Sequence, residues 1–363
     1  CVQFKLNIGS KDDPVGKNGL AHVTEHMLYD NNIDTRLDNL GVQWNAYTTR
    51  DSTGYTFICT KSKINVVIKI IKTMMFHMKF RNSFFTKEKN VVIEEILLKN
   101  SQRPHRLRDL VYKTMFSSKY KNSIKGTLKT VKNININDVV QFYKKWYVPN
   151  NIKLVCIGNF NHSLVSQSLT KINTIPRKKS IKPFCFTHKE IYSQLTHINK
   201  TFNSELVNIS CNSIIPGNDI ITNSIFDIIS LNLQTNLYAI LREKHGLSYN
   251  PYCSYSIYKD FGVIELSATV KKANIKKSLK IINNILKSSV LKSKLQNLRE
   301  NALITNNILY ESIESQSTFY CDEMFKLNKV INSIEEYDEV LQNIPLKLIN
   351  IHNKKLKFIT VMN

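Results

Sequence analysis

The segment His22-Val23-Thr24-Glu25-His26 carries the residues best suited to chemistry in this sequence. On a helix, residues four positions apart share a face, so His22 and His26 can bind one metal ion. Glu25 follows His22 by three residues and is close enough to that face to reach a metal-bound water. Zinc lowers the pKa of such a water towards 7, and a carboxylate can take its proton as it attacks a carbonyl. The HxxEH pattern thus predicts zinc-assisted hydrolysis, against the alternative of two solvated helix histidines.

A second acidic segment offers the missing metal ligand. A catalytic zinc ion usually has three protein ligands and one open position. Glu88 and Glu95 lie seven residues apart, which is two helical turns, and they face the same side of a predicted helix. Either carboxylate can turn inward while the other fixes a histidine N–H. The residues alone leave that choice open, together with the alternative of a solvent-exposed acidic face.

Periodicity and flanking signals predict the elements that must position these residues. The predicted helices are Leu20–Tyr29, Ile64–Met78, Lys87–Asn100, Arg106–Phe116 and Asn137–Tyr147, and the predicted strands are Phe4–Ile8, Gly54–Thr60 and Lys153–Ile157. The polar, basic segment around residues 177–183 is bounded by prolines, as is typical of a linker. We therefore expect an N-terminal domain over 1–176, a linker over 177–183 and a C-terminal domain over 184–363.

The second half of the chain repeats the layout of the first. The strand, short turn and long helix that begin at Gly54 recur from Gly262, 208 residues later. A chain of 363 residues is well explained by two copies of one α+β unit.

The net charge of +23 raises the alternative of a nucleic-acid-binding protein. Only nine basic residues are Arg, and the lysines are scattered along the chain instead of clustering with aromatic residues. No apolar run approaches the roughly 18 residues of a membrane span. The seven cysteines are widely spaced and include no CxxC, which favours buried thiols in a reducing compartment. We therefore expect a cytoplasmic protein, or one of an organelle matrix if an upstream targeting segment was removed.

Several segments, in order, resemble the insulinase/pitrilysin family of zinc metallopeptidases, and most closely its half-size members such as the mitochondrial processing peptidase subunits. The similar segments are 19–28 for the zinc helix, 45–55 for the edge strand, 88–95 for the distal glutamate helix, 142–151 for the end of a helix before a strand, and 241–249 for an Arg/Tyr motif. The resemblance implies an α+β fold of two similar domains, each a mainly antiparallel sheet with helices packed on one face.

The resemblance also assigns roles to residues. It implies that His22, His26 and Glu95 bind one Zn²⁺ per chain, with Glu25 as the general base and Glu88 as the carboxylate behind the ligands. In the second domain it implies substrate contacts for Arg242 and Tyr249. Asn45 and Ala46 would lie on the strand that pairs with an extended peptide.

The predicted function is therefore a zinc-dependent endopeptidase that cleaves short or unfolded peptides in a closed chamber, formed by a homodimer or by a heterodimer with a paralogous subunit. The alternatives are a non-catalytic partner subunit of such a peptidase and a basic nucleic-acid-binding protein. The sequence departs from the family in two places. The usual N-terminal strand is absent before Cys1, so residues upstream are expected to be missing, and the interval between His26 and Glu95 is shortened around 30–35.

Overall fold

The structure is a computed structural model that describes residues 1–30, 32–170, 196–198, 205–217, 219–326, 334–352 and 357–362. The strands are β1 (Val2–Leu6), β2 (Gln43–Thr48), β3 (Thr53–Ile58), β4 (Ile152–Cys156), β5 (Thr196–Ile198), β6 (Leu206–Pro216), β7 (Tyr252–Ile257), β8 (Phe261–Lys271) and β9 (Lys357–Met362). The helices are α1 (Leu20–Met27), α2 (Ile33–Asn39), α3 (Ile64–Phe76), α4 (Asn82–Ser101), α5 (Arg103–Met115), α6 (Leu128–Lys132), α7 (Ile136–Trp146), α8 (His162–Thr170), α9 (Ile220–Leu237), α10 (Ile275–Lys287), α11 (Lys292–Tyr310), α12 (Ile313–Lys326), α13 (Ile334–Asn343) and α14 (Leu346–His352).

The described residues form two compact units, and each unit includes a segment from the other half of the chain. Helix α5 belongs to the second unit, together with most of the chain after β5, whereas helix α12 belongs to the first unit. The predicted linker 177–183 lies outside the described residues, so the boundary proposed there stays a prediction.

The first unit is built on an antiparallel sheet with the strand order β2-β3-β1-β4. All five side chains of strand β1 are buried. They point alternately to the two faces of the sheet, and both faces are covered. Phe4 points into the apolar core formed with α1, α3, α4 and α7. On the opposite face, Gln3 accepts a hydrogen bond from Ser317 of α12 at 2.7 Å, and Lys5 forms an ion pair with Asp322.

The second unit has a sheet with the strand order β5-β9-β6-β8-β7, in which β5 and β9 are parallel and the other neighbours are antiparallel. Strand β8, a 3₁₀ turn at Lys272–Asn274 and helix α10 repeat the order of β3, the 3₁₀ turn at Lys61–Lys63 and α3. Helix α5 is held to this unit by a hydrogen bond between Tyr112 and Tyr258 and by Arg108, which donates to Ser256 at 3.2 Å.

The fold class predicted from the sequence is confirmed, since both units are α+β with a mainly antiparallel sheet. The five helices and three strands predicted in the first half are all present. The largest difference is at α4, which begins at Asn82 instead of Lys87 because Phe85 packs into the core. No helix in the described part of the chain is long and apolar enough to cross a bilayer.

A close approach in the second unit provides a test of its packing. A Cβ added at Gly262 of β8 would lie 2.1 Å from Cζ of Phe226, which is fully buried on α9. We expect Gly262→Ala to lower the free energy of unfolding by roughly 1–3 kcal/mol, because the ring must move within a packed core. Urea unfolding of single and double variants measures the effect. Phe226→Leu should reduce the cost of Gly262→Ala, and an equal cost in both backgrounds would contradict this account.

Candidate metal centre

Helix α1 places two histidines and a glutamate at the border of the first core. Its apolar residues Leu20, Val23 and Met27 are buried in that core. His22 and Glu25 are also buried, at 7% and 6% exposure, and His26 is partly buried. The rings of His22 and His26 lie 4.8 Å apart between centroids, as expected for residues one turn apart on a helix.

A buried carboxylate lies near each end of α1. At the N-terminal end, Asp13 accepts hydrogen bonds from the backbone N–H groups of Gly19 at 2.6 Å and Ala21 at 2.8 Å, so a negative charge lies where the helix dipole is positive. Beyond the C-terminal end, Asp30 is fully buried and forms a two-pronged ion pair with Arg81, at 2.7 Å to Nε and 2.6 Å to Nη2. Because Arg81 immediately precedes α4, this ion pair fixes α4 relative to α1.

Helix α4 carries the two predicted carboxylates. Val92 and Ile96 anchor it in the core, while Glu88 and Glu95 lie towards α1. The Oε2 atom of Glu88 is 3.1 Å from Nδ1 of His26. Glu95 spans both histidines, with Oε2 at 3.5 Å from Nε2 of His22 and Oε1 at 3.8 Å from Nε2 of His26.

The three residues His22, His26 and Glu95 fit a zinc ion. Their ligand atoms all lie within 4.8 Å of one another, and they are the only such group among the residues that the structure describes. Zinc-ligand distances of 2.0–2.2 Å in a tetrahedron place neighbouring ligand atoms roughly 3.4 Å apart, close to the two distances between the histidines and Glu95. Glu88 accepts from Nδ1 of His26, which leaves Nε2 of that ring as the ligand atom.

The environment shifts the pKa values of the two histidines in opposite directions. Burial, followed by the charges of His26 and nearby lysines, lowers the pKa of His22 well below its usual value. For His26, burial acts in the same direction, but the hydrogen bond with Glu88 and the charges of Glu25 and Glu95 raise the pKa overall. A His26 proton shared with Glu88 lies on the nitrogen that faces away from Glu95.

Glu25 lies beside these groups with its own partner. Its carboxylate accepts a hydrogen bond from the Thr48 hydroxyl at the end of β2. Burial raises the pKa of Glu25 to about 7, although the hydrogen bond from Thr48 opposes the shift. A carboxylate with a pKa near neutrality can both accept and return a proton, as general acid–base chemistry requires.

The other predicted residues lie in separate places. Asn45 and Ala46 lie on β2, the terminal strand of its sheet, where they pair with Thr56 and Tyr55 of β3. In the second unit, Arg242 belongs to a π-helical turn at Tyr238–Lys244 that continues α9. Its guanidinium stacks on two rings, at 4.7 Å from the centroid of Tyr238 and 4.6 Å from that of Tyr249. Tyr249 is 82% exposed, whereas Arg242 is partly buried.

The prediction from the sequence did not include the residues that support the centre. Asp13, Asp30 and Arg81 fix the helices, and Thr48 binds Glu25. Asp30 follows His26 by four residues, but that spacing does not indicate its partner. Arg81 acts on Asp30 from 51 residues away in the chain, a pairing that only the folded structure reveals.

Two models of one family match successive parts of the chain. The model described as insulinase (peptidase family M16) matches residues 2–128, and the model described as the peptidase M16 inactive domain matches residues 133–295. The chain belongs to the insulinase family. The match to the first model covers the five residues gathered at this site, His22, Glu25, His26, Glu88 and Glu95, and the match to the second covers Arg242 and Tyr249.

Named relatives and solved structures agree with this membership. The chain is 25% identical to the zinc protease YmxG of Bacillus subtilis over 279 residues, which cover 72% of this chain and 66% of that protein. It is 23% identical to a probable mitochondrial-processing peptidase subunit beta of Arabidopsis thaliana over 47% of this chain and 33% of that protein. The crystal structure of a protease from Helicobacter pylori has the same fold, with a TM-score of 0.88 and 16% identity over 100% of this chain and 94% of that one.

Adjacent glutamates on α4 offer a matched test of the metal ligands. Glu95 faces the histidines, whereas Glu94 is exposed to solvent. We expect Glu95→Gln to weaken zinc binding by more than about a hundredfold, because the neutral amide is a poor ligand for zinc. Glu94→Gln should bind one zinc per chain with wild-type affinity. Competition with a chromophoric chelator measures both variants, and equal affinity would contradict the ligand set.

The ion pair between Asp30 and Arg81 should control stability. Arg81→Ala removes both prongs of the pair from a fully buried carboxylate, so we expect a loss of roughly 1–3 kcal/mol in the free energy of unfolding. Arg81→Lys keeps the charge but not the forked guanidinium, so its free energy of unfolding should lie between those of wild type and Arg81→Ala. Thermal unfolding of the three proteins checks this order, and a lysine variant less stable than the alanine variant would contradict it.

Proposed function

We propose that this protein is a zinc-dependent endopeptidase that hydrolyses short or unfolded peptides. The observation that carries the proposal is the convergence of His22, His26 and Glu95 next to the buried carboxylate of Glu25. Membership of the insulinase family and the similarity to YmxG, which is named a zinc protease, support the same chemistry.

The residues at this site have separate roles in the proposed hydrolysis. His22 and His26 would hold zinc through Nε2, and Glu95 through its carboxylate. Zinc, when bound, supplies a Lewis acid that polarises a carbonyl and makes water a better nucleophile at neutral pH. Glu25 takes the proton of the attacking water and can pass it to the leaving amine. Thr48 holds the Glu25 carboxylate in position for that transfer, and Glu88 fixes the ring of His26.

We further propose that the substrate is bound as an extended strand. β2 is a terminal strand, so a peptide can add to its edge by main-chain hydrogen bonds next to Asn45 and Ala46. Arg242 and Tyr249 would contact the peptide backbone and the developing oxyanion, since a guanidinium and a phenol are suited to stabilising negative charge. Main-chain recognition of this kind requires an unfolded segment and excludes compact proteins.

The assembly and the compartment are also proposals. The similarity to a mitochondrial-processing peptidase subunit supports a dimer, either of two copies or with a paralogous chain, that closes a chamber around the peptide. None of the six cysteines in the described part of the chain forms a disulfide, and we therefore propose a reducing compartment such as the cytoplasm or an organelle matrix.

The decisive variant is Glu25→Gln, which keeps the size of the side chain and its contact with Thr48 but cannot accept a proton. We expect it to lower the rate of peptide hydrolysis by at least about a hundredfold while zinc stays bound. Product analysis by mass spectrometry on a mixed peptide library, with zinc content measured in parallel, tests this. Wild-type activity should disappear with a chelator and return with added zinc.

The same experiment separates the alternatives. A non-catalytic partner subunit of the same family would bind zinc without hydrolysing peptides in either form of residue 25. Undiminished turnover by the Glu25→Gln variant would instead refute Glu25 as the base. A nucleic-acid-binding protein would show tight, salt-sensitive binding to DNA or RNA and no chelator-sensitive hydrolysis.

A further inference from the structure

A lysine that the proposed mechanism does not use contacts the third metal ligand. The Nζ atom of Lys125 lies 2.6 Å from Oε2 of Glu95, and each side chain is 32% exposed. Lys125 is thirty residues beyond Glu95 in the chain and lies in the turn that precedes α6. This contact joins the Glu95 carboxylate to a segment of the chain that lies outside both α1 and α4.

The backbone around Lys125 makes close contact with the residues that immediately precede α1. Gly126 has φ +76°, and a Cβ there would meet the Asn18 carbonyl oxygen at 2.1 Å. A Cβ on Gly19, which has φ +99°, would meet the Lys125 carbonyl oxygen at 2.6 Å. Two glycines thus permit an approach that side chains would prevent. Thr130 completes the contact by donating a hydrogen bond to the Asn18 carbonyl oxygen at 2.7 Å.

The same turn is also tied to α4. Lys99, one helical turn beyond Glu95, donates to the hydroxyl of Ser123 at 2.7 Å. The backbone N–H of Gly126 donates to the Ser123 carbonyl oxygen at 3.0 Å, which closes the turn. The segment 123–126 is therefore fixed to both helices that carry the ligand residues, and this fixes the origin of the Lys125 side chain.

We propose that Lys125 is a positioning residue that holds the Glu95 carboxylate in its ligating orientation. This inference rests on the metal centre of the proposed function. A glutamate that is free to rotate loses side-chain entropy when it binds a metal, whereas a carboxylate already held by a hydrogen bond loses less. Ligating carboxylates are commonly held by such outer partners, and loss of the partner typically costs about 10- to 100-fold in metal affinity.

Charge alone predicts the opposite effect, which makes the proposal sharply testable. An ammonium beside the centre repels a bound cation, so its removal would by itself strengthen zinc binding. Positioning predicts that its removal weakens zinc binding. The sign of the change in zinc affinity therefore separates the two roles of Lys125.

The test compares Lys125→Met with Lys129→Met, which removes the same charge from an exposed position on α6. Zinc dissociation constants are measured on the full chain by competition with a chromophoric chelator at fixed pH and salt. We expect Lys125→Met to weaken binding about 10- to 100-fold, Lys129→Met to change it by less than about twofold, and Lys125→Arg, which keeps a charged donor, to restore most of the affinity.

A second readout excludes general damage to the fold. The melting temperature of the metal-free protein should be nearly the same in wild type and Lys125→Met, while the rise on adding zinc should be smaller in the variant. If the methionine variant does not fold, Lys125→Ala replaces it with the same expected weakening. Unchanged or tighter zinc binding by the folded variant would overturn the inference alone. A wild-type chain that binds no zinc would instead overturn the proposed metal centre.

Discussion

The candidate metal centre depends on one constraint, which is that polar side chains removed from water must find partners at the border of an apolar core. Helix α1 packs Leu20, Val23 and Met27 into that core, so its fixed geometry carries His22 and Glu25 out of solvent. The partners come from α4, whose Glu88 and Glu95 reach the histidines, and from β2, whose Thr48 reaches Glu25. The site therefore requires the rest of the unit to fix the position of α1 relative to α4. Two buried carboxylates serve this purpose. Asp13 binds backbone N–H groups at the N-terminal end of α1, and Asp30, three residues beyond the C-terminal end, binds Arg81, the residue before α4.

In the second unit, the residues that the structure describes meet the same constraint without a group of side chains that could hold a metal ion. Its helix α9 buries Asp227, which accepts hydrogen bonds from Tyr255 on the terminal strand β7 and from Tyr337 on α13, the latter at 2.6 Å. This contact between helix and terminal strand parallels that of Glu25 with Thr48 in the first unit. Phenol hydroxyls, however, satisfy a carboxylate without presenting imidazole nitrogens or a second acidic residue. The repeat therefore keeps the α+β architecture with a different set of polar side chains in this region, which lies within the match to the family's inactive domain.

The sequence predicted what local periodicity encodes. The spacing of His22 and His26 fixed a shared helix face, and the seven-residue interval between Glu88 and Glu95 fixed another, because a helix repeats every 3.6 residues. The repeat from Gly54 to Gly262 likewise predicted two similar α+β units. The sequence could not show the features that depend on tertiary packing. These are the pairing of Asp30 with Arg81, the contact of Lys125 with Glu95, and the assignment of α5 to the second unit and α12 to the first. None of these has a periodic signature, since each joins segments whose separation in the chain is set by the fold.

The strongly basic composition acquires a more limited meaning at this centre. Three glutamates, at positions 25, 88 and 95, are gathered around two histidines, and such a group would be unstable without nearby positive charge. Lys125 supplies that charge at Glu95, and Glu88 is in hydrogen-bond contact with Nδ1 of His26. The carboxylates of Glu88 and Glu95 are thus already held by partners within the protein, so the proposed metal binding would require little further ordering. The lysine excess that first indicated nucleic acid therefore contributes, at one position at least, to a preorganised acidic site.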